Sequence, residues 1–286
     1  MGSTRNIFPY SKHNESGKYN PDNLKLGSVQ TNLSVGENEF FYSGITEPSK
    51  PYQKLSLLAK KSTKLLKNCT DWRQWGESKV GDLALWVGHR SSSEQPSKKT
   101  PERLSKMIID FDGNVSGSGS DSSGNFDIFG QVEGQDLINF RRQYNNGSKV
   151  SYFGQIGKMG SIFGTWIESN SNKKGDFYLS LVCDKWTGNY QTESGKNDIV
   201  LNMKVDKIGV YGIGSNKTGC YVIKGEVIKD QQDLMVKFSK RYFDGGYVVY
   251  IGSYDKGLKS LIGSWMVPYQ VGVAEEVSAG LFEVKN

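Results

Sequence analysis

From about residue 80 onward, apolar and polar positions alternate with period two over short stretches. Leu234, Val236, Phe238 and Tyr242 share one parity, as do Ile138, Phe140 and Tyr144 about a hundred residues earlier. Side chains of one parity point to one face of a strand, so these stretches read as half-buried β-structure. Ser122-Ser123-Gly124, Asn145-Asn146-Gly147 and Asp244-Gly245-Gly246 fall between them, in the composition of tight hairpin loops. No helical periodicity interrupts the pattern, which favours sequential antiparallel hairpins over parallel crossovers.

The stretches recur. Trp86-Val-Gly88 returns as Trp186-Thr-Gly188, and the glycine-spaced run from Val115 to Gly130 returns from Val210 to Gly225, at offsets of 100 and 95. Phe140-x-Arg142-x-Tyr144 matches Phe238-x-Lys240-x-Tyr242, and Val150-x-Tyr152-x-Gly154 matches Val248-x-Tyr250-x-Gly252, both at 98. Gly164-Thr-Trp166 and Gly175-x-Phe177-x-Leu179 find counterparts in Gly263-Ser-Trp265 and Gly280-x-Phe282-x-Val284. The order is kept and the offset drifts only between blocks, as insertions in loops would produce.

The second copy predicts strands near 185–191, 198–206, 208–216, 219–229, 233–243, 247–254, 260–268 and 279–285. The first copy predicts eight more, from about 82–90 to about 176–184. Eight antiparallel strands in meander order can close, and closure removes exposed edges. The expected fold class is therefore all-β, with two tandem eight-stranded antiparallel meander barrels. An open sheet or a sandwich is the alternative. A strand-opening Trp-x-Gly, successive hairpins and a late Gly-x-Trp resemble the lipocalin/avidin (calycin-like) group of meander barrels. The resemblance covers residues ~82–286, twice over, and implies an eight-stranded barrel. It transfers no ligand site.

Barrels of this size are either plugged by side chains or hold one small ligand. Tyr221, Phe238, Tyr242, Tyr250, Trp265 and Phe282 are the large residues expected inside the second, and their bulk favours a plugged lumen. Arg142 and Lys240 share parity with these rings. They read as cations that snorkel to the barrel rim, or as inward charges that bind an anion or pair with a carboxylate such as Asp112 or Asp206. Arg142, Lys240, Tyr250 and Trp265 are thus the candidate lumen or rim residues.

The N-terminal region differs in character. Residues 1–50 are polar, dotted with Phe8, Tyr10, Tyr19, Phe40, Phe41 and Tyr42, and read as an extended arm. Residues 52–68 carry Leu55, Leu58, Leu65 and Leu66 near one face of a predicted helix, with lysines over much of the rest. This is either a short helix packing its leucines on the following domain or a basic helix facing an acidic surface. Residues 1–80 hold 12 Lys+Arg against 7 Asp+Glu, so most of the formal net charge of +6 is local. The expected organisation is an arm (1–50), a basic helix and linker (51–78), and barrel repeats at 79–184 and 185–286.

Candidate chemistry is sparse. His13 and His89 are the two histidines and neither pairs with a nucleophile; no metal site or cofactor is expected. Asp110-Phe-Asp112-Gly113-Asn114 begins like a calcium loop, but Val115 occupies the position that needs Gly, and Asp121 the one that needs Glu. Cys69, Cys183 and Cys220 form no redox spacing and fit a reducing compartment. The opening Met1–Asn6 lacks an apolar signal core, and no apolar run reaches membrane-spanning length.

The favoured expectation is a non-enzymatic, cytoplasmic structural or interaction protein. Lys54, Lys60, Lys61, Lys64 and Lys67 would fasten it to a large acidic assembly, with the microtubule or ciliary cytoskeleton as the specific candidate. Weak contact with anionic membranes is compatible with the same lysines, whereas the near-neutral remainder argues against sequence-specific nucleic-acid binding. The alternative is a carrier of a small apolar ligand in one lumen.

Overall fold

In a computed structural model of the chain, residues 83–171, 173–192, 195–230, 233–267 and 278–286 are described. The expected arm and basic helix, with all five candidate lysines, lie outside them. The described chain is strand and turn, with a 3-10 turn at Lys158–Gly160.

The first half contains β1 (Leu85–Ser92), β2 (Gln95–Ser105), β3 (Ile108–Ile109), β4 (Asn114–Asp121), β5 (Gly124–Glu133), β6 (Leu137–Tyr144), β7 (Lys149–Ile156), β8 (Ser161–Glu168) and β9 (Lys174–Leu181). The second contains β10 (Asp184–Thr192), β11 (Gly195–Asp206), β12 (Gly209–Asn216), β13 (Gly219–Asp230), β14 (Asp233–Tyr242), β15 (Tyr247–Asp255), β16 (Ser260–Val267) and β17 (Ser278–Lys285). All pairings are antiparallel. The second half is a closed barrel, β10 through β17, sealed where β10 pairs with β17. The hairpin turns use Gly124, Gly147 and Gly245 at positive φ, as the turn clusters in the sequence require.

The first half corrects the expectation of two barrels. It is a curled nine-stranded sheet in the order β2-β1-β9-β8-β7-β6-β5-β4-β3, edged by β2 and β3. The physical cause is one extra residue. In the closed barrel Leu201 and Val205 of β11 both face the core at an even spacing. Their counterparts Leu104 and Ile109 are also buried, but at an odd spacing. An odd interval between two inward residues demands a bulge. Lys106 supplies it at φ 67, a left-handed conformation that a residue with a Cβ adopts at a cost. One strand becomes two: β2 pairs with β1 and β3 with β4.

Opposed glycines bend both sheets at matching places. Gly154 faces Gly164, and Gly252 faces Gly263. A Cβ on Gly164 would lie 2.1 Å from the Phe153 carbonyl oxygen, and one on Gly263 would lie 2.0 Å from that of Ile251. The backbones approach more closely there than any other residue allows.

The two halves share a core. Tyr211, Ile213, Cys220 and Val222 point outward from β12 and β13 of the barrel and are buried among the interior residues of the first sheet. The Tyr211 hydroxyl accepts a hydrogen bond from the Ile109 backbone N–H at 2.9 Å. Burial raises the Tyr211 pKa well above its ordinary value, so the group stays a neutral phenol. The Cys220 thiol lies 3.5 Å from the Ile156 carbonyl oxygen, and burial pushes it up to about 11. At the periphery of this interface Arg241 pairs with Asp112 at 3.4 Å, beside a crevice of about 170 Å³ lined by Phe111, Val132, Tyr242 and Phe243.

Candidate functional site: two filled lumens and a bare outer face

Each half builds the same aromatic cluster from three strands. In the first, Phe140 and Tyr152 stack at 4.6 Å with an interplanar angle of 3°, and Phe177 stands edge-on to both. In the barrel, Phe238 and Tyr250 stack at 4.6 Å and 7°, with Phe282 edge-on. Direct cross-strand registry of Phe140 with Tyr152, and of Phe238 with Tyr250, sets these stacks. Tryptophans close the ends. Trp86 and Trp186 donate their indole N–H to the carbonyls of Met107 and Met203, and Trp166 and Trp265 to those of Ser91 and Gln191. Tyr221, Phe238, Tyr242, Tyr250, Trp265 and Phe282 all lie in the barrel core, as the sequence predicts.

The cation position is buried in both halves, which corrects the expectation of snorkelling. Arg142 is 1% and Lys240 3% exposed. A rim position requires a strand end, and both residues sit two residue pairs inside it, covered by rings from β5 and β13. Arg142 donates to Glu102 and approaches Asp121 at 3.5 Å. It also lies over the rings of Phe126 and Tyr152. Its carboxylates are therefore Glu102 and Asp121, not Asp112. Burial works against the guanidinium charge, but Tyr152 and Glu102 outweigh it and raise the pKa. Arg90 completes the network, 2.9 Å from Glu102 and over the Trp166 ring, and the Tyr144 hydroxyl donates to Asp121 at 2.6 Å.

The barrel keeps the shape of this network and loses its charges. Glu102 lies opposite Gly88, where the barrel sets Ile199 opposite Gly188. Asp121 is replaced by Asn216, which donates to the Tyr242 hydroxyl at 3.0 Å. Arg90 is replaced by Tyr190, edge-on to Trp265 at 5.7 Å. Among the described residues no carboxylate lies within 4 Å of Lys240, nor is Asp206 its partner. Its ammonium rests on Tyr221 at 4.0 Å and Tyr242 at 4.8 Å, a cation–π arrangement. Glu102 escapes a reading of the sequence because it stands in the polar run Gln95–Arg103; only its parity with Leu104 marks it as inward.

Among the described residues, the remaining candidates do not assemble into a centre for chemistry. His89 lies within β1, not at its end, and stacks on exposed Tyr178 at 5.9 Å. The Asp110 carboxylate accepts from the backbone N–H groups of Asp112 and Asn114 and from the Asn114 side chain, which makes it a turn-former. Among the described residues no three His, Cys, Asp or Glu side chains converge on a metal-sized cluster, and no described helix is long and apolar enough to cross a membrane.

The surface carries the larger anomaly. Leu137, Phe153, Phe163, Ile167 and Tyr178 project from the outer face of β6 to β9 and are substantially exposed. A shallow groove of about 440 Å³ runs over part of this face, between Ser93, Phe153, Ile167 and Lys174. Comparison of the chain with protein-family models, curated proteins and solved structures returns no match.

Proposed function

We propose that the chain is a non-enzymatic docking protein made of two copies of one meander module, related in architecture to the lipocalin/avidin-like barrels. The duplication is supported by the repeated ring triad, the repeated tryptophan-to-carbonyl bonds and the two glycine pairs. Side chains fill both lumens, which leaves the outer surfaces to carry the binding. The observation behind the reading is the bare outer face of β6 to β9: contiguous aromatic and aliphatic exposure on a folded surface marks an interaction site. Lys54, Lys60, Lys61, Lys64 and Lys67 supply the electrostatic half of the contact, so the partner is a protein assembly with an acidic surface. The tubulin lattice of the cytoplasmic or ciliary cytoskeleton is the specific candidate.

Co-sedimentation with microtubules tests this. The full chain is expected to pellet, with binding weakening steeply as salt is added because the lysine contribution is screened. Lys60→Glu with Lys61→Glu and, separately, Phe153→Asp are each expected to release it. Recovery of all three proteins in the supernatant, or equal pelleting of all three, would overturn the proposal.

A further inference from the structure

The two copies of the cation position differ in their balance of charge. In the first sheet two cations, Arg90 and Arg142, face two carboxylates, Glu102 and Asp121. In the barrel the counterparts are Tyr190, Lys240, Ile199 and Asn216, which leave one cation and no carboxylate. Lys240 is buried, and among the described residues its ammonium has the rings of Tyr221 and Tyr242 beside it and no carboxylate. Ring faces offset part of the lost hydration, yet a buried charge is ordinarily paired with an opposite one. The barrel is thus one negative charge short of the arrangement that its own duplicate completes.

We infer that the barrel takes this charge from outside, as a carboxylate bound at Lys240. The first sheet shows how a carboxylate reaches such a depth. Asp121, the last residue of β4, has its side chain 30% exposed and still lies 3.5 Å from the buried guanidinium. Tyr144 holds it there by donating its hydroxyl. The barrel keeps the equivalent donors. They are Lys240, the Tyr242 hydroxyl, and the exposed Asn216 amide at the end of β12. Because that hydroxyl accepts from Asn216, its own proton is free to be donated. An ionised carboxylate only accepts hydrogen bonds, so donors gathered around an uncompensated cation suit it. Backbone pairing also lapses at this level. β11 and β12 pair only from Met203 to Asp206, whereas Lys240 lies on Tyr221, whose partner on β12 is Gly214, beyond the last of those pairs. In the first sheet Glu102 reaches Arg142 from β2, a strand that likewise lacks a partner on that side; Ile199, in its place, is shorter and uncharged. The ligand is a small free carboxylate or the carboxylate of an acidic side chain, since both present the same group. The site stands whether or not the outer face of β6 to β9 docks a partner.

Thermal unfolding of the full-length protein in sodium acetate, with sodium chloride keeping the ionic strength constant, tests the inference. The wild-type protein is expected to show a saturable rise in melting temperature, as a ligand that binds the folded state produces. Lys240→Met is expected to abolish it. Asn216→Asp supplies, at an exposed position, the carboxylate that the first copy has at Asp121. It is expected to raise the melting temperature without acetate and to weaken acetate binding about tenfold or more. A blocked peptide with one glutamate among glycines, read in the same way, separates the two sources. A shift with acetate alone assigns a small free carboxylate, and a shift with the peptide assigns an acidic side chain. The inference is overturned by a wild-type protein that responds saturably to neither probe, by an equal response in Lys240→Met, or by an Asn216→Asp protein that melts and binds acetate like the wild type. Should Lys240→Met not fold, Asn216→Asp decides alone.

Discussion

Arg142 and Lys240 occupy one position in two differently charged settings, and their energetics should diverge accordingly. Arg142 sits between Glu102 and Asp121 with its hydration gone. Removing one partner of a buried pair leaves the other uncompensated, at a cost of about 3–5 kcal/mol. Glu102→Ala is therefore expected to lower the unfolding free energy measured in urea by that amount. Lys240 has its charge distributed over two ring faces, so Lys240→Met exchanges a cation–π contact for an apolar fill of similar length, and the change should stay within about 1 kcal/mol. Chemical denaturation of both variants checks the contrast; equal losses would mean that the carboxylates are not what holds the Arg142 charge inside. The identity of the cation position was legible in the sequence from the match of Phe140-x-Arg142-x-Tyr144 with Phe238-x-Lys240-x-Tyr242. Its burial was not, because a long cation at that parity can equally reach a rim, and Glu102 contributes no repeat to give itself away.

At the scale of elements, period-two alternation placed every strand of the closed barrel within a few residues, since one buried face suffices to reveal a strand. Closure is another matter. It depends on whether one strand can pair along both its edges, and a single surplus residue between Leu104 and Ile109 splits that strand at Lys106. Ile108 and Ile109 are both apolar, so the hydrophobic pattern alone does not tell which of them faces inward after Leu104 and the slip is masked. The glycine pairs, in contrast, announce themselves by recurring, and the structure supplies the reason. A methyl group on Gly263 would lie 2.4 Å from Gly252 Cα as well as against the Ile251 carbonyl. Backbone on both sides cannot yield as a flexible side chain can. Gly263→Ala is expected to cost about 1–3 kcal/mol, the usual range for overpacking, and to weaken amide protection between β15 and β16 more than elsewhere. Hydrogen exchange of the variant measures this, and a neutral change would show that the sheet corner is looser than its distances imply.

At the scale of the molecule, the two halves are joined by side chains instead of merely tethered. Tyr211, Ile213, Cys220 and Val222 leave the barrel wall and become part of the first sheet's core. The second copy carries an extra apolar parity there, Val210-Tyr211 and Tyr221-Val222, where the first has Val115-Ser116 and Phe126-Asp127. Departure from the repeat, more than the repeat itself, thus marks where the barrel's outside is covered. A shared core couples the unfolding of its contributors, because losing either half strips apolar contacts from the other. Ile213→Ala removes buried methyl groups at this junction without touching the lumen of the closed barrel, and a truncation of this kind costs about 2–4 kcal/mol. The full-length variant is expected to melt at a lower temperature in one transition, with near-ultraviolet signals from the tryptophans of both halves lost together. Calorimetry alongside those signals distinguishes the cases. If only the first half destabilised while the barrel kept its wild-type midpoint, the junction would be a contact between two independently stable units, and the buried Tyr211–Ile109 bond would orient them without linking their stability.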